Sequence, residues 1–423
     1  MDYQKIDMGA YNLHIINTTK FKTITVDICF RRPIKKEDIS NRIILKDVLL
    51  NSNQNYKTET ELIKESENLY DLKLMSSSSR IGTYTNLSFK TRFLNEKYTE
   101  EGMNEESIKF LLDIIFKPNI TDKKFSEEVL SQVKERNQKN IKTLKDDKIR
   151  YAIFSLLEKF SDKPYSYNPY GDKDIIQNIT PASLYEYYKS VINDDIVDVF
   201  IVGDVDVKNT KELFKEYFKV WSYHKKKDDI ITPPLSERSR IKNYEELTKA
   251  NQSQIVLLYS IKNLSEYERK YVLLVYNELL GGSSSSVLFD NIREKNSYAY
   301  YVSSLAKAYD NLLIIYSGVE PSNEETVIKQ IRKNVDAISK GKFAENYFEN
   351  AKETIISGII ASTDNPSGII NTYFAKSLVG SASAEERIEN IKKVSINDII
   401  TLSKKIKVHS SYALKGGPNG DKD

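Results

Sequence analysis

Sulfur, imidazole and indole are scarce in this chain: one cysteine, three histidines and one tryptophan serve 423 residues. The lone Cys29, inside the alternating stretch Ile24 to Phe30, can form no intramolecular disulfide and no cysteine-based metal site. It fits a reducing compartment and a place on a strand. His14, His224 and His409 lie far apart, and none has a second histidine one helical turn away. The serine runs Ser76 to Ser79 and Ser283 to Ser286 therefore have no histidine placed by sequence to activate a nucleophile. Phosphate-binding and hydrolase signatures are missing too: there is no G-x-x-x-x-G-K-[ST] loop, no G-x-G-x-x-G after a strand and no G-x-S-x-G elbow. No apolar run reaches the roughly 18 residues that span a bilayer. Met1 to Ala10 carries Asp2 and Asp7 in place of a basic and then apolar export signal, so the expected compartment is the cytoplasm. An excess of one charge is also absent. Lys and Arg number 63 against 60 Asp and Glu, a net charge of +3, and a nucleic-acid partner is not indicated.

What remains is an ordinary globular composition, 40% hydrophobic and 29% charged. A length of 423 residues exceeds one core and predicts about two to four compact units. The order of elements repeats once. In the first half a strand (Phe21 to Phe30) precedes helices (Arg42 to Leu50, Glu59 to Leu69), strands near Lys73 to Ser79 and Tyr84 to Phe89, and a helix (Glu106 to Phe116). In the second a strand (Gln254 to Ser260) precedes helices (Glu266 to Leu280, Val287 to Lys295), strands (Tyr298 to Lys307, Leu312 to Val319) and a helix (Glu324 to Ile338). Each half then runs through long helices into a closing strand, Val197 to Val202 or Val408 to Leu414. Thr180 before Pro181 reads as an N-cap with proline at the first helical position, and Ser265 with Glu268 as a capping box.

Between the halves, His224 to Arg240 is polar and charged, with Lys225 to Lys227 and Pro233-Pro234, and reads as a solvated linker. The expected architecture is α+β: two homologous domains, 1–223 and 248–423, joined at 224–247, each a mostly antiparallel sheet backed by helices. Trp221, Tyr185, Tyr187 and Tyr188 fall in helical stretches and read as core or interface packing.

The most specific chemical pattern lies between Leu279 and Val302. A helix ends at Gly281-Gly282, four serines make a corner, and a second helix carries Val287, Leu288, Phe289 and Ile292 before stopping near Asn296-Ser297. Arg293 then falls in the last helical turn and Tyr300 at the start of a strand, so their polar tips can meet in one cleft. This order of a Gly-rich turn, a Leu-Phe helix, Arg-Glu-Lys and Ala-Tyr resembles the second half of the pitrilysin-like (insulinase) zinc metallopeptidases. Asn168 to Gly171 and Ile201 to Asp206 resemble further landmarks of that family. The resemblance covers nearly the whole chain and implies two such domains hinged by a linker. It also implies that Arg293 and Tyr300 bind the scissile peptide, with Gly281, Gly282 and Ser283 as further substrate contacts. The pair suits that task, because a guanidinium and a phenol both donate hydrogen bonds to an oxygen that becomes negative in a tetrahedral intermediate; the alternative is that Arg293 pairs with a carboxylate and Tyr300 is half-buried packing.

Active members of the family carry His-x-x-Glu-His on the first helix of the N-terminal half. By the repeat layout that helix here reads Ile44-Leu-Lys-Asp-Val48, so the ligand positions fall on Ile44 and Val48 and the base on Asp47. Neither apolar side chain can ligate zinc. Glu127, Glu128 and Glu135 lie where the family places its third ligand, and a lone carboxylate would not hold the ion. No cofactor is expected on this chain, and zinc is expected in a partner. The resemblance thus implies a non-catalytic subunit that lends Arg293 and Tyr300 to a homologous subunit carrying His-x-x-Glu-His, with a peptide or unfolded polypeptide as substrate. The alternative is a stand-alone scaffold that holds a peptide without cutting it.

Overall fold

The computed structural model describes residues 1–217 and 229–417. Trp221, His224 and Lys225 to Lys227 lie outside the described residues. The fold is α+β with two similar halves, as the repeated order of elements predicts.

The first half contains β1 (Asp2–Asp7), β2 (Asn12–Asn17), β3 (Thr23–Pro33), β4 (Lys73–Ile81) and β5 (Tyr84–Leu94). It continues with a small ribbon of β6 (Ile120–Thr121) and β7 (Lys124–Phe125), then β8 (Ile196–Gly203). The second contains β9 (Lys242–Leu247), β10 (Ser253–Ile261), β11 (Ala299–Lys307), β12 (Leu312–Val319) and β13 (Ile406–Lys415). The sheet orders are β1-β2-β8-β3-β5-β4 and β11-β12-β10-β13-β9. Apart from β1, the two sheets share one topology. In each, the closing strand inserts between earlier strands and makes, among the described residues, the sheet's only parallel pair, β2 with β8 and β9 with β13, while the other pairs are antiparallel. A strand covered on both faces needs a continuous apolar run, and β8 (Ile-Val-Asp-Val-Phe-Ile-Val-Gly) has one with a single buried carboxylate, Asp198.

Two compact units result, and neither is a contiguous half of the chain. One comprises Met1–Ile141, Tyr167–Ile230 and Ser362–Ser381; the other comprises Lys142–Ser166, Ile231–Ala361 and Ala382–Asp423. The linear division at 1–223 and 248–423 follows the repeat, whereas the units depart from it by one exchanged helical segment each. The reason is that both faces of each sheet are apolar and both must be covered. In the first unit, helices including Lys36–Leu49 and Met103–Phe116 cover one face, burying Ile44, Phe110 and Leu111 against Ile28, Phe30 and Phe89. Helix Pro366–Val379 covers the other, with Ile369, Ile370, Tyr373 and Phe374 over Ile16, Cys29, Phe200 and Val202. In the second unit the corresponding cover is helix Lys148–Leu157, whose Ala152, Leu156 and Leu157 pack with Val256, Leu258, Ile314 and Tyr412.

The linker reading needs one correction at its end. Thr232 is buried, with its N–H donating to Tyr309 O at 2.8 Å, and Leu235 N–H donates to Ser260 Oγ at 3.1 Å. Lys242–Leu247 is an edge strand, not linker. Its charges stand on an exposed edge, a place where strands tolerate them, and this is why its composition imitates a linker. Both N-terminal caps read from sequence are formed: Ser183 N–H donates to Thr180 Oγ1 at 3.1 Å, and Glu268 N–H donates to Ser265 Oγ at 3.2 Å. Among the described residues, no helix is long and apolar enough to cross a membrane.

Candidate functional site

Helix Lys36–Leu49 carries Ile44, Asp47 and Val48, the positions at which the resemblance implies a zinc motif. Ile44 is fully buried and Val48 nearly so, both within the hydrophobic core, while Asp47 is half-buried and paired with Lys46. Side chains committed to a core have neither the donor atoms nor the freedom to bind an ion, so the residues present do not fit zinc. Among the described residues, no group of three or more His, Cys, Asp or Glu side chains gathers as a metal site.

The second half assembles differently. Gly281 ends its helix against β11: a Cβ there would lie 2.9 Å from both Ser304 N and Ser304 Oγ. Ser303 Oγ donates to Gly281 O at 2.8 Å and Ser304 Oγ donates to Asn277 O at 3.1 Å, fastening the turn to that strand. Ser283 O accepts from Ser286 Oγ at 2.6 Å, which closes the serine corner on itself. The following helix is a wide π-turn over Phe289–Glu294, where sequence periodicity predicts an α-helix, and Lys295 N–H reaches back to Asp290 O at 2.9 Å. The turn buries Ile292 and exposes Arg293, whose guanidinium lies 4.8 Å from the Phe289 ring centroid. Ser297, in the left-handed conformation at φ +52, then reverses the chain into β11.

Tyr300 sits on a break in the ladder. Ala299 pairs with Val319 and Tyr301 with Gly318, which leaves Tyr300 as the extra residue of a β-bulge. A bulge re-aims a side chain and often adjoins a functional site. The Tyr300 ring is 47% exposed, and its hydroxyl donates to Glu320 Oε1. Arg293 and Tyr300 line one open pocket of about 440 Å³, together with Glu294, Ser297, Tyr298, Ala299, Glu320 and Asn323. Gly281, Gly282 and Ser283 are not among its walls. Arg293 Nε lies 3.7 Å from Glu294 Oε1, and among the described residues the pocket is lined by one cation, Arg293, and two carboxylates, Glu294 and Glu320. Arg293 can donate to a carbonyl oxygen, the Tyr300 hydroxyl is held by Glu320, and the Glu320 carboxylate can accept from a cation.

The family model described as "Peptidase M16 inactive domain" matches residues 178–355. The Bacillus subtilis protein named "Probable inactive metalloprotease YmfF" is 28% identical over 413 residues, 96% of each chain. A conserved protein of known structure from Enterococcus faecalis V583 superposes over 100% of both chains with a TM-score of 0.91 at 26% identity. Residues 178–355 thus match a peptidase M16 inactive domain, and over nearly its whole length the chain is similar to pitrilysin-like proteins. It resembles members named inactive. The pitrilysin-like fold also recurs in the peptidase M16 inactive domain from Pseudomonas fluorescens, with a TM-score of 0.79 at 14% identity over 100% of both chains. A second Bacillus subtilis relative, "Uncharacterized zinc protease YmxG", is 24% identical over 69% of this chain and 70% of its own length.

Sequence reasoning missed Glu320 and Asn323 as neighbours of Arg293 and Tyr300 in this pocket. The available signal was Glu320-Pro321 directly after β12, since Val319 pairs with Ala299 next to Tyr300. Two of the three histidines serve the framework instead. His14 is buried between Asp198 and Tyr3, with Nε2 3.0 Å from Asp198 Oδ1 and Nδ1 2.9 Å from the Tyr3 hydroxyl. His409 is buried, with Nδ1 3.1 Å from Ser410 Oγ and its ring centroid 5.4 Å from that of Phe160.

Proposed function

We propose that this chain is a non-catalytic subunit of a heteromeric pitrilysin-like zinc metallopeptidase. It supplies Arg293 and Tyr300 to bind a peptide at the zinc site of a homologous, His-x-x-Glu-His-carrying partner in the cytoplasm. The observation that carries the reading is an asymmetry between its halves. Ile44 and Val48 are sealed in a core, whereas Arg293 and the bulge-borne Tyr300 face one open pocket. A chain that needed only its fold would have no use for an exposed guanidinium and an exposed phenol lining a common space. Bacillus subtilis also holds one relative named a probable inactive metalloprotease beside another named a zinc protease, which agrees with a paired arrangement.

In such a pair the partner's zinc and glutamate would activate the attacking water. Arg293 and Tyr300 would orient the peptide carbonyl and donate to its oxygen as charge develops there. The test is steady-state kinetics of the complex reconstituted from this chain and the His-x-x-Glu-His homologue of its own genome, on an unfolded polypeptide. Arg293→Ala and Tyr300→Phe should leave assembly intact and lower the turnover number on the order of a hundredfold. Unchanged turnover in a stable variant complex would overturn the proposal and favour a scaffold that holds peptide without cutting it.

A further inference from the structure

Tyr300 has one phenolic proton, and in this structure it is given to Glu320. A phenol donating to a carboxylate is held by a charge-assisted bond and is not available to a substrate oxygen. Something must draw Glu320 away before Tyr300 can act. Glu320 is itself preset. It follows β12 in an extended conformation (φ −62, ψ 142) and precedes Pro321, which disfavours the helical region for the residue before it. Its carboxylate lines the pocket beside Tyr300. The pocket's other carboxylate, Glu294, lies 3.7 Å from Arg293 Nε, so Glu320 is the one committed to Tyr300.

We propose that Glu320 selects peptides with a cationic side chain beside the bond held by Arg293 and Tyr300, and that this cation frees the Tyr300 hydroxyl. The inference rests on the reading of Arg293 and Tyr300 as peptide-binding residues. A lysine or arginine entering the open pocket, about 440 Å³ in volume, pairs with Glu320 in place of the phenol. The released hydroxyl turns to the peptide carbonyl. A peptide with a neutral side chain at that point leaves Tyr300 on Glu320 and gains one donor fewer. Glu320 thus couples recognition of charge to presentation of the hydrogen-bond donor.

The experiment uses the full chain alone, labelled with 3-fluorotyrosine, and two probes: a short unstructured peptide with one central lysine and its norleucine analogue. Anisotropy of the labelled peptides should give the lysine probe an advantage on the order of tenfold in Kd. Glu320→Ala should abolish that advantage, and Glu320→Asp should restore part of it. The fluorine resonance assigned by Tyr300→Phe should move, on adding the lysine probe, toward its position in Glu320→Ala, and should not move with the norleucine probe. A role confined to folding would leave that resonance insensitive to the ligand. Equal affinity for the two probes, binding of neither, or a Tyr300 resonance unmoved by the lysine probe would each overturn the proposal. None of these outcomes depends on a partner, so they are separable from the turnover test of the complementing role.

Discussion

His14 Nε2 lies 3.0 Å from Asp198 Oδ1, with neither side chain reaching solvent. The same carboxylate also accepts from Asn12 Nδ2 at 3.0 Å, from Ser377 Oγ at 3.2 Å and from Arg31. One carboxylate therefore joins β2, β3 and β8 to the exchanged helix Pro366–Val379. Removing its charge leaves Arg31 buried without its counter-ion. Asp198→Asn should cost about 3 kcal/mol, read as a shift in the urea midpoint at unchanged slope.

Acid should act on the same group. Burial alone would raise the Asp198 pKa, but hydrogen bonds from His14 and the charge of Arg31 hold it down to about 2. A carboxylate depressed in the folded state contributes stability that is present above its ordinary pKa and is lost as pH falls. The window runs from about pH 4 down through pH 2, and the contribution is on the order of 2 kcal/mol. Wild type should lose this stability across the window. Asp198→Asn should be flatter there, and equal slopes for the two proteins would refute the assignment.

His409 places a second window higher. Desolvation, and then the charge of Arg238, lower its pKa from 6.5 to about 4. The folded state thus prefers the neutral ring, and protonation favours unfolding as pH drops from about 6.5 toward 4. His409→Leu, which cannot charge, should lose less stability over that interval by at most about 3 kcal/mol. Differential melting of the two proteins at pH 7 and pH 5 measures it.

The exchanged helices make a contiguous half incomplete. A fragment of residues 1–223 lacks Ile369, Ile370, Tyr373 and Phe374, which cover Ile16, Cys29, Phe200 and Val202. Uncovering that face forfeits about 1.5–3 kcal/mol for each large apolar side chain left exposed. The fragment should aggregate or bind a hydrophobic dye, and fusing residues 362–381 to it should restore a cooperative melt. A cooperative, dye-silent fragment 1–223 would contradict this account of its core.

Gly318 lies under a ring, and a Cβ there would come 2.4 Å from Tyr301 Cε1. Gly318→Ala should therefore displace Tyr301, whose hydroxyl donates to Gln254, and cost about 1–3 kcal/mol by overpacking. Tyr301→Val in the same chain removes the clash, so the double variant should be more stable than the sum of the two single effects. Strict additivity in thermal melts would show that the ring is not what restricts this position.

The sequence by itself determined the α+β class, the repeated order of strands and helices, the caps at Thr180 and Ser265, and the missing ligands at Ile44 and Val48. These follow from period, cap chemistry and donor atoms, which are local properties. It also set Arg293 at a helix end and Tyr300 near a strand start. Only tertiary structure decided the rest. The π-turn at Phe289–Glu294 and the bulge at Tyr300 depend on how the helix end and β11 pack on their neighbours, and residue spacing carries no trace of either. Strand β9 and hairpin strand β1 are charged edges, whose stability comes from a partner's backbone rather than from their own side chains. The exchange of helices Lys148–Leu157 and Pro366–Val379 is of the same kind. An apolar helix face records that it must be buried, but which sheet it covers is settled by the open face that the chain can reach.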